Sequence, residues 1–234
     1  MKIPLSIQYF LSAVVWEFKH QLKSLQIILV LFFYGIYLAV LYYYSLKSEI
    51  FLEKKNYWGL LFLSVFFMVI LMTGKSLQRE KEAGAYKIQL MSPMPRSIFY
   101  IAKIAIKALL IFLILMFYQL IYKILLVGQL EYEQNEMIFF LLLFPYILNL
   151  ISIGELISLM SSGNRMRELV LPAIFFPVSV PVFIIYTSVL NKFVDDINIV
   201  YFIDYKILTL PLVVLLIYIL TGIFIYTNLS VEEG

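Results

Sequence analysis

Apolar residues fill this chain in long blocks, and the charges gather between them. Uncharged blocks cover 24–46, 56–74, 169–191 and 207–230. A fifth covers 137–154, and its apolar pattern continues past Glu155 to residue 160. A sixth covers 108–122 and lengthens to 98–126 if Lys103, Lys107 and Lys123 extend their ammonium groups toward the membrane interfaces. Each block is near the ~20 residues a helix needs to cross the hydrocarbon core. The pattern predicts an all-α integral membrane fold with spans at 24–46, 56–74, 98–126, 137–160, 169–191 and 207–230.

Residues 1–23 read differently. Ile3, Ile7, Phe10, Leu11, Val14, Phe18 and Leu22 recur at helical spacing, while Gln8, Ser12, Lys19 and Lys23 lie off that stripe. Such a pattern suits an N-terminal amphipathic helix in the plane of the membrane interface. The plainer reading is an extension of the first span. The first residues lack the pattern of a cleaved secretory signal, so the first apolar spans are expected to direct insertion themselves. Residues 1–234 read as a single membrane domain.

An even number of spans places both termini on one side. Twelve of the eighteen basic residues fall in segments on that side: Lys2, Lys19, Lys23, Lys75, Arg79, Lys81, Lys87, Arg96, Lys103, Lys107, Arg165 and Arg167. The excess of lysine and arginine marks the cytoplasmic face. Both termini and the segment 79–97 are therefore expected in the cytoplasm of a bacterial cell, with the chain in its inner membrane.

Composition supports the class and narrows the chemistry. The chain is 63% hydrophobic and 14% charged, well below the ~25% charged residues of soluble domains. The net charge of +3 is not gathered into the basic stripe of a nucleic-acid binder. With no cysteine, disulfides, thiolate chemistry and cysteine-ligated metal are excluded. His20 is the only histidine, so haem iron cannot be held between two histidines of this chain. Ser161 and Ser162 have no base beside them in sequence, and there is no phosphate-binding loop of the Walker A kind. The residues point away from an enzyme.

Two charged segments remain. In "REKEAGAYKIQLMSPMPRS" (79–97), Arg79, Glu80, Lys81 and Glu82 form a mixed-charge turn and Gly84 permits close backbone approach. Ala83, Tyr86 and Leu90 then share a helical face, and Pro93 and Pro95 end the helix. A short amphipathic helix held at both ends suits a groove on a soluble partner. A plain interfacial loop would carry a similar pattern. In "GNRMRELVLPAIFFPVSVPVF" (163–183), Arg165, Arg167 and Glu168 lie at the membrane edge, and Pro172, Pro177 and Pro181 interrupt one apolar span. Each proline removes a backbone hydrogen bond, so this span is expected to be bent or broken. An acid near a span is a functional candidate by default. Glu155 sits close to the same turn, however, and is expected to pair with Arg165 or Arg167 or to meet solvent.

"LQREKEAGAYKIQLMSPMPRSIFYIAKI" resembles the signature of the B-type permease of cytochrome c maturation, the haem exporter protein B family, an ABC-2-like membrane subunit. Arg79, Glu80, Glu82, Gly84, Leu90, Ser92, Pro93, Tyr100 and Lys103 occupy the places of that signature. Arg165, Arg167, Glu168, Leu171, Pro172, Pro177 and Pro181 resemble the family's second signature, and "WEFKHQLKS" resembles its charged lead-in to the first span. Ala85 departs from the Thr or Ser expected after the glycine, and Glu155 stands where a small or apolar residue is usual.

The resemblance implies an ABC-2-type permease of six spans that does not itself hydrolyse ATP. Two copies would pair with two ABC ATPase subunits, a haem-handling membrane protein and a small single-span subunit. ATP hydrolysis on the separate chain would drive release of the haem-loaded periplasmic chaperone. Haem and ATP would be handled by the complex, and no cofactor is assigned to this chain. The 79–97 segment would be the coupling helix, with Arg79, Glu80, Glu82, Gly84, Tyr86, Leu90, Ser92 and Pro93 as its contact residues. Two other readings fit the residues: a general export permease for a lipid, drug or polysaccharide, and a passive membrane scaffold without an ATPase.

Overall fold

The computed structural model describes residues 5–23, 25–45, 54–74, 80–81, 84–126, 136–161, 167–195 and 205–232. Its elements are helices: α1 (Leu5–Lys23), α2 (Leu25–Ser45), α3 (Lys54–Gly74), α4 (Ala85–Met91), α5 (Arg96–Leu126), α6 (Glu136–Met160), α7 (Arg167–Asp195) and α8 (Tyr205–Glu232). In hydrocarbon only i→i−4 pairing satisfies the backbone of such apolar runs. Hydroxyl side chains inside them turn back onto their own helix. Ser64, Thr73, Ser152 and Thr221 each donate to the carbonyl four residues earlier, at 2.7–2.8 Å, so none needs a partner in lipid.

Four helices carry apolar stretches long enough to cross a membrane: Arg96–Gln119, Leu142–Met160, Leu171–Val189 and Thr209–Asn228. α2 and α3 carry shorter apolar stretches, Ile28–Tyr42 and Gly59–Gly74. Four of the six expected spans thus stand on length and composition among the described residues.

α6 is the central post and packs against α3, α5, α7 and α8. Its apolar window is 78% buried, against 28% for that of α7 and 22% for that of α8, which line the outside. The core between them is aromatic and aliphatic, with Phe62, Tyr146, Phe175 and Tyr186 buried. Small residues let helices approach closely. A methyl group added at Gly154 of α6 would lie 2.6 Å from Thr73 Oγ1 of α3. One added at Gly35 of α2 would fall inside the ring of Tyr118, whose hydroxyl donates to the carbonyls of Leu31 and Phe32.

α7 answers part of one expectation: it is a continuous rather than broken helix although Pro172, Pro177 and Pro181 lie inside it. Pro177 and Pro181 sit on its exposed face and Pro172 is half-buried, and each lacks only the one N–H that would pair four residues back. α5 has 31 residues, about 46 Å at 1.5 Å per residue. That exceeds the ~30 Å hydrocarbon core, and its apolar window, Arg96–Gln119, starts at its first residue.

Candidate functional site

Between Lys81 and α5 the chain makes a tight connection. Gly84 takes the left-handed conformation (φ 69°) at the start of α4, and its N–H donates to Lys81 O at 3.1 Å. A side chain at this φ would be strained, which accounts for the glycine. α4 ends at Ser92, which leaves the helix in extended conformation. The Ser92 hydroxyl accepts from Met94 N–H at 3.3 Å, and Pro95 O accepts from Ile98 N–H to start α5. α4 is thereby fixed at both ends by local geometry.

The two faces of α4 differ sharply. Ala85, Tyr86 and Gln89 point into the protein and are buried. Tyr226 of α8 donates to Gln89 Oε1 at 2.5 Å, and Lys81 lies 5.3 Å over the Tyr86 ring. Ile88 and Met91 face outward, 60% and 84% exposed. Met160, at the end of α6, is likewise exposed.

Behind α4 lies a buried cluster of charges. Lys103 and Lys107 stand one turn apart on α5, each 1% exposed. Lys103 Nζ pairs with Glu80 Oε2 at 2.6 Å, and Lys107 Nζ pairs with Glu155 Oε1 of α6. The expected extension of these lysines to the interface does not occur; Glu155 pairs with Lys107, and its expected partners, Arg165 and the Arg167 side chain, lie outside the described residues. An inward carboxylate lies within reach of each ammonium, so neither needs water. Lys103 also lies 5.5 Å over the Tyr226 ring, a favourable placement for a cation. Tyr100 packs on Tyr226 with ring centroids 5.6 Å apart.

α1 closes the cluster from the side. It packs along α5 with Ala13, Glu17 and Gln21 buried, and its outer stripe is Ile7, Leu11, Val15, Phe18 and Leu22. Phe10 and Val14, expected in the apolar stripe, turn toward the bundle instead. Gln21 Nε2 donates to Glu17 Oε1 at 2.7 Å. Trp16 stacks on His20 and meets Phe99 of α5 edge-on. His20 Nδ1 is buried without a hydrogen-bond partner.

Burial opposes the charge on Glu80, but Lys103 and Lys107, with the Lys103 hydrogen bond, outweigh it and hold the carboxyl below its ordinary range. Burial pushes Glu17 up, and the neighbouring Glu80 charge adds to the rise.

Of the sequence-derived contact residues, Glu80 and Tyr86 are buried and held within the protein rather than offered to a partner. Pro93 is exposed and Ser92 half-exposed. Arg79, Glu82 and Arg165 lie outside the described residues, as do the side chains of Leu90, Arg167 and Glu168. Sequence reasoning passed over Glu17, Gln21, Gln89 and Tyr226. The i, i+4 repeats of polar residues, Glu17 with Gln21 and Lys103 with Lys107, were the available signal. No group of metal-ligating side chains occurs among the described residues.

Residues 8–202 match the ABC-2 type transporter family. The chain belongs to that family. It is therefore a multi-pass integral membrane protein and the membrane permease component of an ABC transporter, not itself catalytic. Permeases of this family work with ABC ATPase subunits and often dimerise. No curated protein and no solved structure matches the chain.

Proposed function

We propose that this ABC-2 permease receives the ATPase stroke through α4. The observation that carries the reading is the two-faced build of that helix. Ile88 and Met91 stand out from a face that no part of the described chain covers, while Tyr86 and Gln89 fasten the opposite face to the bundle. A partner gripping Ile88 and Met91 would push a short, end-fixed lever rather than a loop. The basic residues of 75–107 and the lysines before α2 support a cytoplasmic position for α4 and both termini under the positive-inside rule.

The two signature stretches support a narrower reading, the B-type permease of cytochrome c maturation, coupled to release of a haem-loaded periplasmic chaperone. Its partners would be a second copy, the ATPase, a haem-handling membrane protein and a small single-span subunit. The breadth of the ABC-2 family supports a general exporter of lipid, drug or polysaccharide equally well. One experiment separates them: co-purification of the tagged protein from its native membrane, wild type against Ile88→Asp/Met91→Asp. The coupling reading expects an ATPase with wild type and its loss from the variant. Haem-handling proteins in the same eluate select the maturation reading; their absence beside a retained ATPase selects the general exporter. An ATPase that binds the variant undiminished refutes the role of α4.

A further inference from the structure

Among the described residues, the buried cluster does not balance its charge: three carboxyls (Glu17, Glu80 and Glu155) meet two ammonium groups, Lys103 and Lys107, all at 1–2% exposure. Each lysine is engaged by a carboxylate other than Glu17: Lys103 by Glu80 and Lys107 by Glu155. Glu17 has a neutral partner instead, the Gln21 amide at 2.7 Å. A buried carboxylate held only by an amide is costly, and the usual escape is to take up a proton. We propose that Glu17 is a proton-binding site, and that its neutral form seats α1 against α5 beside the segment carrying Glu80 and α4.

The groups facing Glu17 set the conditions. From α5 come Lys103 and Lys107, from the segment before α4 comes Glu80, and His20 lies one turn further along α1. Glu155 of α6 and Tyr226 of α8 complete the cluster behind the lysines. Loss of the Glu17 proton sets a second negative charge near Glu80, where both compete for Lys103. The cheapest relief is for α1 to lift and let Glu17 reach water. The rest of its seat is apolar, Ala13, Val14 and the edge contact of Trp16 with Phe99, and lipid can replace such contacts at little cost. Proton occupancy at Glu17 thus sets how firmly the base of α4 is held. The inference rests on the coupling reading only for its consequence, since the proton site follows from the buried charges alone.

The test uses the full-length chain in lipid nanodiscs without any ATPase, so failure of the coupling reading leaves it untouched. Because the chain has no cysteine, Lys19→Cys on α1 and Met91→Cys on α4 can be spin-labelled cleanly at exposed positions. Infrared titration follows the protonated-carboxyl band on the same preparation. Wild type is expected to lose a carboxyl band as pH rises, with the α1–α4 distance distribution broadening over the same interval. Glu17→Gln should lack that band and keep the narrow distribution throughout. Glu17→Asp should shift the band and its midpoint, and covers the case in which the glutamine variant fails to fold. A wild-type band unchanged by Glu17→Gln overturns the site. A Glu17→Gln distribution that broadens with pH as wild type does overturns the link to α1.

Discussion

Replacing Lys107 by methionine removes one member of an ion pair in which both side chains are 1% exposed. The Glu155 carboxylate would then stand inside the bundle without its ammonium partner. Breaking a buried pair from one side costs about 3–5 kcal/mol, whereas replacing both members by apolar residues of similar volume is about neutral or stabilising by ~1–4 kcal/mol. At about 2–4 °C per kcal/mol for a chain of this size, Lys107→Met should unfold ~6–20 °C below wild type. Lys107→Met/Glu155→Leu should recover most of that loss. Trp16 is a suitable reporter, because it touches His20 and Phe99 beside the cluster. Fluorescence-monitored melting in nanodiscs on a Trp58→Phe background reads it alone. A single variant as stable as wild type would mean that water reaches Glu155. A double variant no better than the single would mean that the pair is not the unit of stability. Either result refutes the reasoning.

Three further outcomes follow from other parts of the structure. Gly35→Ala should destabilise the α2–α5 contact by about 1–3 kcal/mol through overpacking, and Tyr118→Phe/Gly35→Ala should not restore it, because the clash is with the ring and not the hydroxyl; melting of the set checks this. Gly222→Ala should lower stability by a similar ~1–3 kcal/mol, and here Tyr100→Phe should relieve it in part, because the Tyr100 hydroxyl is the atom met first. Stability against pH should fall on both sides of a maximum. The Glu80 contribution is present above the ordinary glutamate value of 4.5 and is lost as pH falls through its lower value in the folded protein. The Glu17 contribution is present below 4.5 and is lost as pH rises through its higher value. Glu17→Gln should flatten only the alkaline side, read by chemical denaturation across pH.

Helical class and four of the spans were legible because each depends on one-dimensional quantities, block length and hydropathy. The turn at Gly84 and the helix stop before Pro93 were legible for the same reason: each follows from the residue's own backbone preference, whereas the cap at Ser92 came from the structure. The inner side of the protein was not. Whether Lys103 extends to the interface or turns inward depends on whether Glu80, twenty-three residues earlier, is folded back within reach. Whether Glu155 finds Lys107 or the 165–167 turn depends on how α5 and α6 lie side by side. Pairings of this kind are tertiary facts, and no local pattern encodes them. Tyr86 went the same way: its helical face was read from spacing, but which face meets the bundle was decided by Tyr226 and Lys81.

α1 shows why such a cluster persists although it contributes little to stability. An amphipathic helix in water buries its apolar stripe; α1 does the reverse, with apolar residues outward and Glu17 and Gln21 inward. Apolar outer surroundings would favour that arrangement, as acyl chains against the stripe Ile7, Leu11, Val15, Phe18 and Leu22 would supply. With lipid on the outside, hydrophobic burial gives α1 no preference for the bundle over the bilayer, because hydrocarbon is as apolar as leucine. What then singles out α5 as the seat of α1 is the buried polar side carrying Glu17 and Gln21, together with the packing of Ala13, Val14 and Trp16. An apolar replacement of the whole cluster would leave the helices folded but would free α1 to leave its seat. The cluster therefore specifies position rather than stability, and it does so beside α4, the helix proposed above to receive the ATPase stroke.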